Sequence, residues 1–250
     1  MNTTPAVTLN QVSKTYKNGT VALKEIDLTV NQGQFISLVG PSGCGKSTLL
    51  RLLAGLGQLS SGQIQWRDRQ SKRNLAFVFQ DPALMPWANV LENVQLPLKL
   101  RRQTQGQSKL AVENAIQMVD LKGFEQAYPR QLSGGMQMRV SLARALVTSP
   151  DHLLLDEPFG ALDEITRSKL NSDLLNLWHR MHWTVVFVTH NIYEAVYLSN
   201  RVVVMAPRPG RVIADIAITA PYPRDPRFRT SASFNQYCQA VLTCLSGATA

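Results

Sequence analysis

The chain has 250 residues, of which 44% are hydrophobic and 17% charged. This balance is that of a folded globular protein with a sizeable core rather than of a disordered or fibrous chain. The net charge of +9 favours a negatively charged partner, such as a nucleotide, a nucleic acid or an anionic membrane surface.

The positive charge is spread over small clusters, at Arg67–Arg73, Lys99–Arg102 and Arg224–Arg229. None of them carries the interleaved aromatic residues that are typical of a single-strand nucleic-acid site. We therefore expect no nucleic-acid partner, and the charge favours a location at a membrane surface.

Two further patterns concern the compartment of the protein. No apolar run approaches the roughly 18 residues that cross a bilayer, and the first residues lack the charged and apolar regions of a secretory signal. The chain is therefore expected to remain in the cytosol. Its three cysteines, Cys44, Cys238 and Cys244, show no metal-ligand spacing and predict no disulfide framework.

The first predicted elements are two strands joined by an Asn-Gly turn. The β-type runs Val7–Val12 and Ala22–Val30 flank Lys17-Asn18-Gly19-Thr20, a pattern typical of a hairpin. Another strand is predicted at 34–39, directly before a glycine-rich loop. The later strands alternate with helical patterns, which indicates a parallel sheet.

The later elements are predicted from the periodicity of hydrophobic residues and from the glycine and proline residues that interrupt it. They are strand Gln63–Trp66, a turn over Asp68–Arg73, strand Asn74–Phe79, helices Gln107–Leu121 and 136–147, strand His152–Leu155, helix Ile165–Met181, strand Thr184–Val188, helix Asn191–Leu198, and strands Arg201–Met205 and Val212–Ile218.

The glycine-rich loop is the first candidate for chemistry. It matches G-x-x-x-x-G-K-[ST] between a strand and a helical pattern that includes Leu49 and Leu56, which is the context of a phosphate-binding loop. Backbone N–H groups and the helix N-terminus would face the phosphates, Lys46 would reach the terminal ones, and Ser47 would hold Mg²⁺. A plain glycine turn is the alternative. The predicted phosphate-binding residues are Gly40, Pro41, Ser42, Gly43, Cys44, Gly45, Lys46, Ser47 and Thr48.

Two carboxylates end a short apolar strand. Asp156 and Glu157 follow His152–Leu155, and the carboxyl end of a buried parallel strand opens onto the ligand crevice. Asp156 is predicted to support Mg²⁺, and Glu157 to act as general base toward a water. The alternative for the pair taken alone is a strand cap of two solvated acids.

Two polar residues follow other predicted strands. His190 comes directly after Thr184–Val188 and Thr189, where an imidazole can donate to a γ-phosphate, although a single histidine is more often structural. Gln80 follows Asn74–Phe79, where its amide can contact Mg²⁺ or the γ-phosphate, or simply cap the strand.

A second phosphate-seeking segment precedes the helix that begins near Met136. Ser133, Gly134 and Gly135 allow close backbone approach, and the helix N-terminus attracts an anion. One nucleotide does not need two such sites from one chain. The economical interpretation is that this segment serves a nucleotide held by another copy of the protein.

Together these segments resemble the ATP-binding subunits of ABC transporters over about residues 7–220. The resemblance implies an ABC ATPase fold in the α/β class: a P-loop core with a parallel sheet, an N-terminal antiparallel β subdomain and an inserted helical subdomain at about 83–147. The ABC domain would span 7–225, followed by a weakly helical tail at 226–250. The resemblance rests on 40–48, Gln80, 132–136, 153–158, 161–163 and His190.

The resemblance also implies partners and further contacts. Two copies would close head to tail over two ATP molecules, with Asp163 between the sites and Tyr16 stacked on adenine, or else merely half-buried at a strand end. Most of the family has Gln where this chain has Met136. Membrane permease subunits would lie above, and an external solute-binding protein would deliver solute to them.

The sub-type resembled is the nitrate, sulfonate and taurine importer group. Leu84, Met85 and Trp87 would form the groove for a permease helix, or else pack in the core. The chain is thus expected to be an ATPase at the cytoplasmic face of the inner membrane that energises uptake of a small anionic solute. The alternatives are a soluble ABC-type ATPase acting on nucleic acid or ribosomes, an exporter cassette and a P-loop kinase.

Overall fold

The computed structural model of the chain describes residues 4–68, 74–102 and 105–247, without the side chains of 105–107. Beyond Asp68, the turn predicted over Asp68–Arg73 lies outside the described residues. Two compact units are present. One takes its residues from Met1–Arg73 and Trp178–Ala250, and the other from Asn74–Leu177.

The described residues form strands and helices in the following order. The strands are β1 (Pro5–Thr15), β2 (Val21–Asn31), β3 (Phe35–Val39), β4 (Ser61–Trp66), β5 (Leu75–Val78), β6 (His152–Asp156), β7 (Thr184–Val188), β8 (Arg201–Ala206) and β9 (Arg211–Ala217). The α-helices are α1 (Lys46–Leu53), α2 (Val90–Leu100), α3 (Gln105–Met118), α4 (Gly134–Leu146), α5 (Glu164–Met181), α6 (Ile192–Leu198) and α7 (Ala232–Gly247).

The predicted N-terminal hairpin is confirmed. Strands β1 and β2 pair antiparallel, with Leu9 opposite Leu28, and β4 pairs antiparallel with the other edge of β1. Gly19 turns the hairpin at φ 82°, in the left-handed region that glycine adopts readily. Alternate residues of β1 and β2 are buried, so one face of this sheet packs on a core.

The first unit also holds four strands in the order β7-β3-β8-β9. Strand β3 runs parallel to both β7 and β8, as predicted, whereas β9 returns antiparallel to β8. All five residues of β3 and of β7 are buried, which explains their unbroken apolar sequence. The buried strands make a rigid base for the loops that follow their carboxyl ends.

Helix α1 is shorter than the leucine pattern predicted. It ends at Leu53, and Leu56 is 60% exposed, so the placement of Leu56 on the helix was wrong. The physical reason is Gly55, whose φ of 73° stops the helix. The amide of Leu56 then donates back to the Arg51 carbonyl, and that of Gly55 donates to Leu52, as at a glycine-terminated helix end.

The second unit contains the parallel pair β5–β6 and helices α2, α3 and α4. Helix α3 buries Val112, Ala115 and Ile116, whereas Leu110 and Met118 are exposed. The sequence offered two apolar faces on this helix, and tertiary packing selects the one that contains Val112. No helix in the described part of the chain is both long and apolar enough to cross a membrane.

The segment after residue 225 contains the 16-residue helix α7. Its side chains Phe234, Cys238 and Val241 are spaced four and three residues apart on one face and are buried within the first unit. Burial raises the pKa of the Cys238 thiol to about 11, which keeps it uncharged near neutral pH. All three cysteines are free thiols.

One residue of the basic cluster Arg224–Arg229 is buried and does not face solvent. Arg224 is buried, and its guanidinium donates to the carbonyls of Val196 at 2.9 Å and Tyr197 at 2.8 Å, in the last turn of α6. It also lies over the ring of Tyr222, 4.1 Å from the centroid. Removal from water lowers the pKa of Arg224, but the carbonyls and the helix dipole stabilise the cation.

Replacing Arg224 by Met is expected to lower the free energy of unfolding by about 3 kcal/mol, because buried carbonyls would lose their donors. Urea unfolding followed by circular dichroism measures this change. The matched control is Arg227→Met, which alters an exposed cation of the same cluster and should stay within about 0.5 kcal/mol of wild type. Equal stabilities for the two variants would contradict the structural role of Arg224.

Candidate nucleotide site

The glycine-rich loop joins the carboxyl end of β3 to the first residue of α1. Gly45 caps the helix at φ 97°, and a Cβ on it would lie 2.7 Å from a methyl of Leu23 and 2.8 Å from the Ala22 carbonyl. Only glycine fits this position without a shift of its neighbours. The loop therefore brings backbone N–H groups and a helix N-terminus together, which is a donor set suited to phosphate.

Lys46 is buried inside its own loop, at 5% exposure. Its ammonium donates to the carbonyls of Gly40 at 2.8 Å and Pro41 at 3.1 Å. The positive charge is therefore held at the loop, where a bound phosphate would meet it. Such a buried cation fits an anionic ligand better than the alternative of a plain glycine turn.

Cys44 lies beside this charge without becoming reactive. Its thiol is buried, and desolvation raises its pKa more strongly than the nearby Lys46 ammonium lowers it. The thiol is therefore neutral near pH 7. Cys44 contributes its backbone and its small volume to the loop rather than a thiolate.

His190 follows β7, which is a neighbour of the strand that precedes the loop. Strands β3 and β7 are parallel neighbours with Leu38 opposite Val188, and the Thr189 amide donates to the Leu38 carbonyl at 3.3 Å. Gly40 and His190 each follow this last pair by two residues, past the carboxyl ends of the two strands. The imidazole is exposed to solvent at the edge of the sheet from which the loop begins.

The helix after His190 begins as predicted, with one difference. The Asn191 side chain accepts from the Glu194 amide at 3.2 Å. The Glu194 carboxylate does not complete a capping box with Asn191: it accepts from the Thr189 hydroxyl at 2.6 Å, and that hydroxyl oxygen accepts from the Asn191 amide. This network anchors the backbone on both sides of His190.

Tyr16 lies directly after β1 and is 43% exposed. Its hydroxyl is 3.1 Å from the hydroxyl of Thr48, in the first turn of α1. The ring is therefore tethered to the helix that begins at the phosphate loop, while much of it faces solvent. An accessible ring in this position can stack on a base.

In the second unit, β5 and β6 pair with Val78 opposite Leu155. Gln80 and Glu157 both lie just past the carboxyl ends of these two strands. Asp156 is buried at 6% exposure, whereas Gln80 is exposed. Glu157 leaves the strand at φ 45°, which turns the chain sharply at the candidate general base.

Ser133 caps α4. Its hydroxyl oxygen accepts from the Met136 amide at 3.3 Å, which leaves the hydroxyl proton able to donate to an anion. The first turn of any helix also has amides without intrahelical acceptors, here those of Gly134 and Gly135. The residue that departs from the family pattern, Met136, supplies a backbone amide to this cap.

Asp163 lies just before α5 and is exposed. Its carboxylate accepts from the Thr166 amide at 3.0 Å, and that backbone hydrogen bond lowers the pKa of Asp163. Asp163 is therefore ionised at neutral pH. The carboxylate fixes the start of α5.

Two residues that the sequence did not single out, Asn93 and Arg144, bind backbone groups of the loop 81–88. Asn93 is fully buried and binds both the amide and the carbonyl of Met85, at 2.8 and 3.2 Å, and the carbonyl of Ala88 at 2.9 Å. Arg144 donates to the carbonyls of Pro82 and Ala83 at 2.6 and 2.8 Å. No motif marks these residues, because their partners are backbone groups of a loop.

This loop holds Trp87 out to solvent at 75% exposure, so core packing was the wrong interpretation for Trp87. Leu84 and Met85 are half-buried. A large exposed aromatic side chain, on a loop fixed by hydrogen bonds from helices α2 and α4, is typical of a protein contact.

The elements described so far define a nucleotide-binding protein of the phosphate-loop class. Comparison with known proteins then identifies the group. The family model described as "ABC transporter" matches residues 23–160. The chain belongs to the ABC transporter family, as an ATP-binding protein with the ABC ATPase fold, and its activity is the ATPase reaction that energises transport.

Curated relatives agree along nearly the whole chain. The "Aliphatic sulfonates import ATP-binding protein SsuB" of a Bacillus cereus strain is 44% identical over 242 residues, which are 94% of each chain. The "Uncharacterized ABC transporter ATP-binding protein MJ0412" of Methanocaldococcus jannaschii is 45% identical over 231 residues, 91% of this chain and 85% of that one.

Solved structures show the same fold. The dimeric bacterial ABC transporter cassette MJ0796 is 33% identical and superposes with a TM-score of 0.75, covering 86% of this chain and all of the other. The cbiO1 subunit of the cbiONQ transporter complex from Clostridium perfringens is 27% identical with a TM-score of 0.78, covering 86% of this chain and 89% of that one.

Proposed function

We propose that this chain binds and hydrolyses ATP as one of two cassettes that drive uptake of a small anionic solute of the sulfonate class. The observation that carries the proposal is the loop 40–48, in which a buried Lys46 and a helix N-terminus converge. The identity of 44% with sulfonate-import subunits supports the solute class.

In this proposal the first unit holds the nucleotide. Amides of the loop 40–48 and the Lys46 ammonium bind the β- and γ-phosphates. Tyr16 stacks on the adenine ring, and its bond to Thr48 keeps the ring near the start of α1. His190, which follows the strand paired with β3, donates to the γ-phosphate.

Glu157 and Gln80 are the proposed groups for hydrolysis. Glu157 accepts a proton from the attacking water, and Gln80, which follows the strand paired with β6, orients that water or the γ-phosphate. The water oxygen forms a bond to the γ-phosphorus as its proton passes to the Glu157 carboxylate, and the bond from the γ-phosphorus to the bridging oxygen breaks, giving ADP and phosphate. Asp163 is proposed to contact the neighbouring cassette.

The side chains that would hold Mg²⁺ are Ser47, Gln80 and Asp156, all with the oxygen donors that this ion prefers. Within the described residues there is no cluster of three or more His, Cys, Asp or Glu side chains able to hold a metal. That fits an ion that is bound largely by nucleotide phosphates and water. When bound, Mg²⁺ neutralises charge that develops on the phosphate oxygens.

Two cassettes are proposed to close head to tail. The hydroxyl of Ser133 and the amides of Gly134 and Gly135 form an anion site at the start of α4. In the closed pair these groups cover the γ-phosphate of the partner's ATP. A structure of the cassette MJ0796 is dimeric, which supports the pairing.

Permease subunits are the proposed membrane partners, and Trp87 is their proposed contact. The hydrogen bonds from Asn93 and Arg144 fix the loop that presents this side chain. An exposed indole on a rigid loop suits insertion beside a permease helix. The cassette would thus sit at the cytoplasmic face of the inner membrane, while an external solute-binding protein supplies the permease.

A transport assay tests this function. The complete complex, reconstituted in vesicles with an alkanesulfonate and its binding protein, should accumulate the solute only with ATP, and Lys46→Ala should abolish uptake. Trp87→Ala should reduce uptake about tenfold or more while ATP binding by the isolated chain is unchanged, because an exposed hot-spot side chain is lost.

The matched control is Leu100→Ala, which removes another exposed apolar side chain, at 76% exposure, from the same unit. It should leave uptake unchanged. Normal uptake by Trp87→Ala would overturn the docking role, and ATP-dependent uptake of other anions but not of alkanesulfonates would overturn the solute class.

A further inference from the structure

The first turn of α5 contacts the loop that follows Glu157. Arg167 donates to the carbonyl of Leu162 at 2.6 Å and to that of Phe159 at 3.3 Å. A third bond, at 3.0 Å, reaches the exposed carboxylate of Glu164. One guanidinium therefore bridges two backbone carbonyls of 159–162, the stretch between the candidate base and Asp163.

The same turn also contacts the anion site of α4. A Cβ on Gly135 would lie only 2.6 Å from the Cγ2 methyl of Thr166. Gly134 lies near Leu162, because a Cβ added to Gly134 would be 3.5 Å from a Leu162 methyl. The glycines at the start of α4 are therefore packed directly against α5 and the loop before it.

We propose that Thr166 and Arg167 are positioning residues that join the loop after Glu157 to the Ser133–Gly135 segment of the same chain. Neither residue contacts nucleotide in this proposal. Arg167 fixes the path of 159–162, and the Thr166 methyl fixes the separation between that loop and Gly135. These contacts consequently set the position of the one segment relative to the other.

This inference rests on the proposed function, in which Glu157 acts on the chain's own ATP and Ser133 covers the ATP of the partner. Two segments that serve different nucleotides are then held in one fixed geometry by a single helical turn. A change at one ATP is transmitted to the other through packed contacts, because tightly packed atoms do not deform independently.

The pair Gly135 and Thr166 gives the first test. Gly135→Ala places a methyl group against Thr166, and the rate of ATP hydrolysis should fall about tenfold or more through displacement of the two segments. Thr166→Ser alone removes the opposing methyl group and should stay within about threefold of wild type. The double variant Gly135→Ala with Thr166→Ser should regain a rate within about threefold of wild type.

An unrescued double variant would overturn the proposal, because the added methyl group would then act on the nucleotide or elsewhere and not on Thr166. A wild-type rate for Gly135→Ala alone would overturn it as well. The double-mutant cycle is informative because losses caused by general instability add across the two sites. The proposed contact instead predicts that Thr166→Ser restores the rate that Gly135→Ala loses.

Arg167→Lys gives the second test, since lysine keeps the charge but not the forked donor. The turnover number should fall about tenfold while the affinity of the isolated chain for ATP, measured with a fluorescent analogue, stays within about twofold. Glu164→Gln, which removes only the exposed ion pair of Arg167, is the control and should hydrolyse ATP normally.

Normal turnover by Arg167→Lys, or a parallel loss of ATP affinity and thermal stability, would overturn the positioning role. Glu157→Gln, assayed beside these variants, distinguishes a failure of the proposed function from a failure of the positioning role. Fast hydrolysis by Glu157→Gln would reject the proposed function itself. Slow hydrolysis by Glu157→Gln together with normal hydrolysis by Arg167→Lys would reject only the positioning role.

Discussion

Replacing Glu157 by Gln is expected to leave ATP binding intact and to slow hydrolysis by about 10²- to 10⁴-fold, the contribution of a well-placed general base. The amide has nearly the shape of the carboxylate but cannot accept the proton of the attacking water. Binding should persist because the loop 40–48 that holds the phosphates is unchanged. The variant should therefore accumulate with ATP bound, as a stable pair of cassettes.

Two measurements check this expectation: release of phosphate under saturating ATP, and size-exclusion chromatography with and without ATP. The matched control is Asp151→Asn, the same carboxylate-to-amide change at an exposed residue just before the opposite end of β6. It should hydrolyse ATP at the wild-type rate. Turnover by Glu157→Gln within a few-fold of wild type would exclude Glu157 as the base.

The elements that position these residues follow closely from local sequence. The strand Thr184–Val188 was predicted with its observed bounds, because a fully buried parallel strand has a continuous run of β-branched and aromatic residues bounded by polar ones. The two glycine-containing motifs also follow from local sequence. The loop 40–48 and the cap at Ser133 depend on backbone donors that the glycine and serine spacing specifies directly.

The errors arose where tertiary contacts override local pattern. Leu56 continued a leucine periodicity but lies beyond the glycine that stops α1. Helix α2 was not separated from the helical region 83–145, because Pro97 within it interrupts the local helix signal, whereas the capping box of Asn89 and Glu92 begins the helix. Arg224 read as part of a surface cluster but is buried against carbonyls of α6.

Arg144 and Arg167 were not predicted from the sequence, for a different reason. Both bind backbone carbonyls of loops, Pro82 and Ala83 for one and Phe159 and Leu162 for the other. An arginine on a helix gives no sequence signal for such partners, since any residue supplies a carbonyl. Partial burial lowers the pKa of Arg144, an environment that only the folded chain reveals.

Ser133→Arg is expected to abolish ATP hydrolysis in a pair that carries it in both chains. The arginine side chain would fill the space at the start of α4 that the partner's γ-phosphate must enter, and the N-cap hydroxyl would be lost. ATP binding by the isolated chain should persist, because the loop 40–48 is intact. Ser133→Ala, which removes the hydroxyl without adding bulk, is the control and should retain part of the activity.

Mixing chains makes this result decisive for the arrangement of the sites. Lys46→Ala should also be inactive alone, through loss of the charge that is buried in the loop 40–48. In a head-to-tail pair of one Ser133→Arg chain and one Lys46→Ala chain, one site combines an intact Lys46 with an intact Ser133. The other site carries both defects. If mixing is random, about a quarter of the wild-type sites are restored.

The opposite arrangement gives a different result. If each chain completed its own site, every chain in the mixture would carry one defect, and no site would be intact. Recovery of phosphate release on mixing the two inactive proteins therefore requires that Ser133 acts on the ATP of its partner. A mixture as inactive as its components, under conditions where mixed pairs are shown to form, would instead place the loop 40–48 and Ser133 at one site within a single chain.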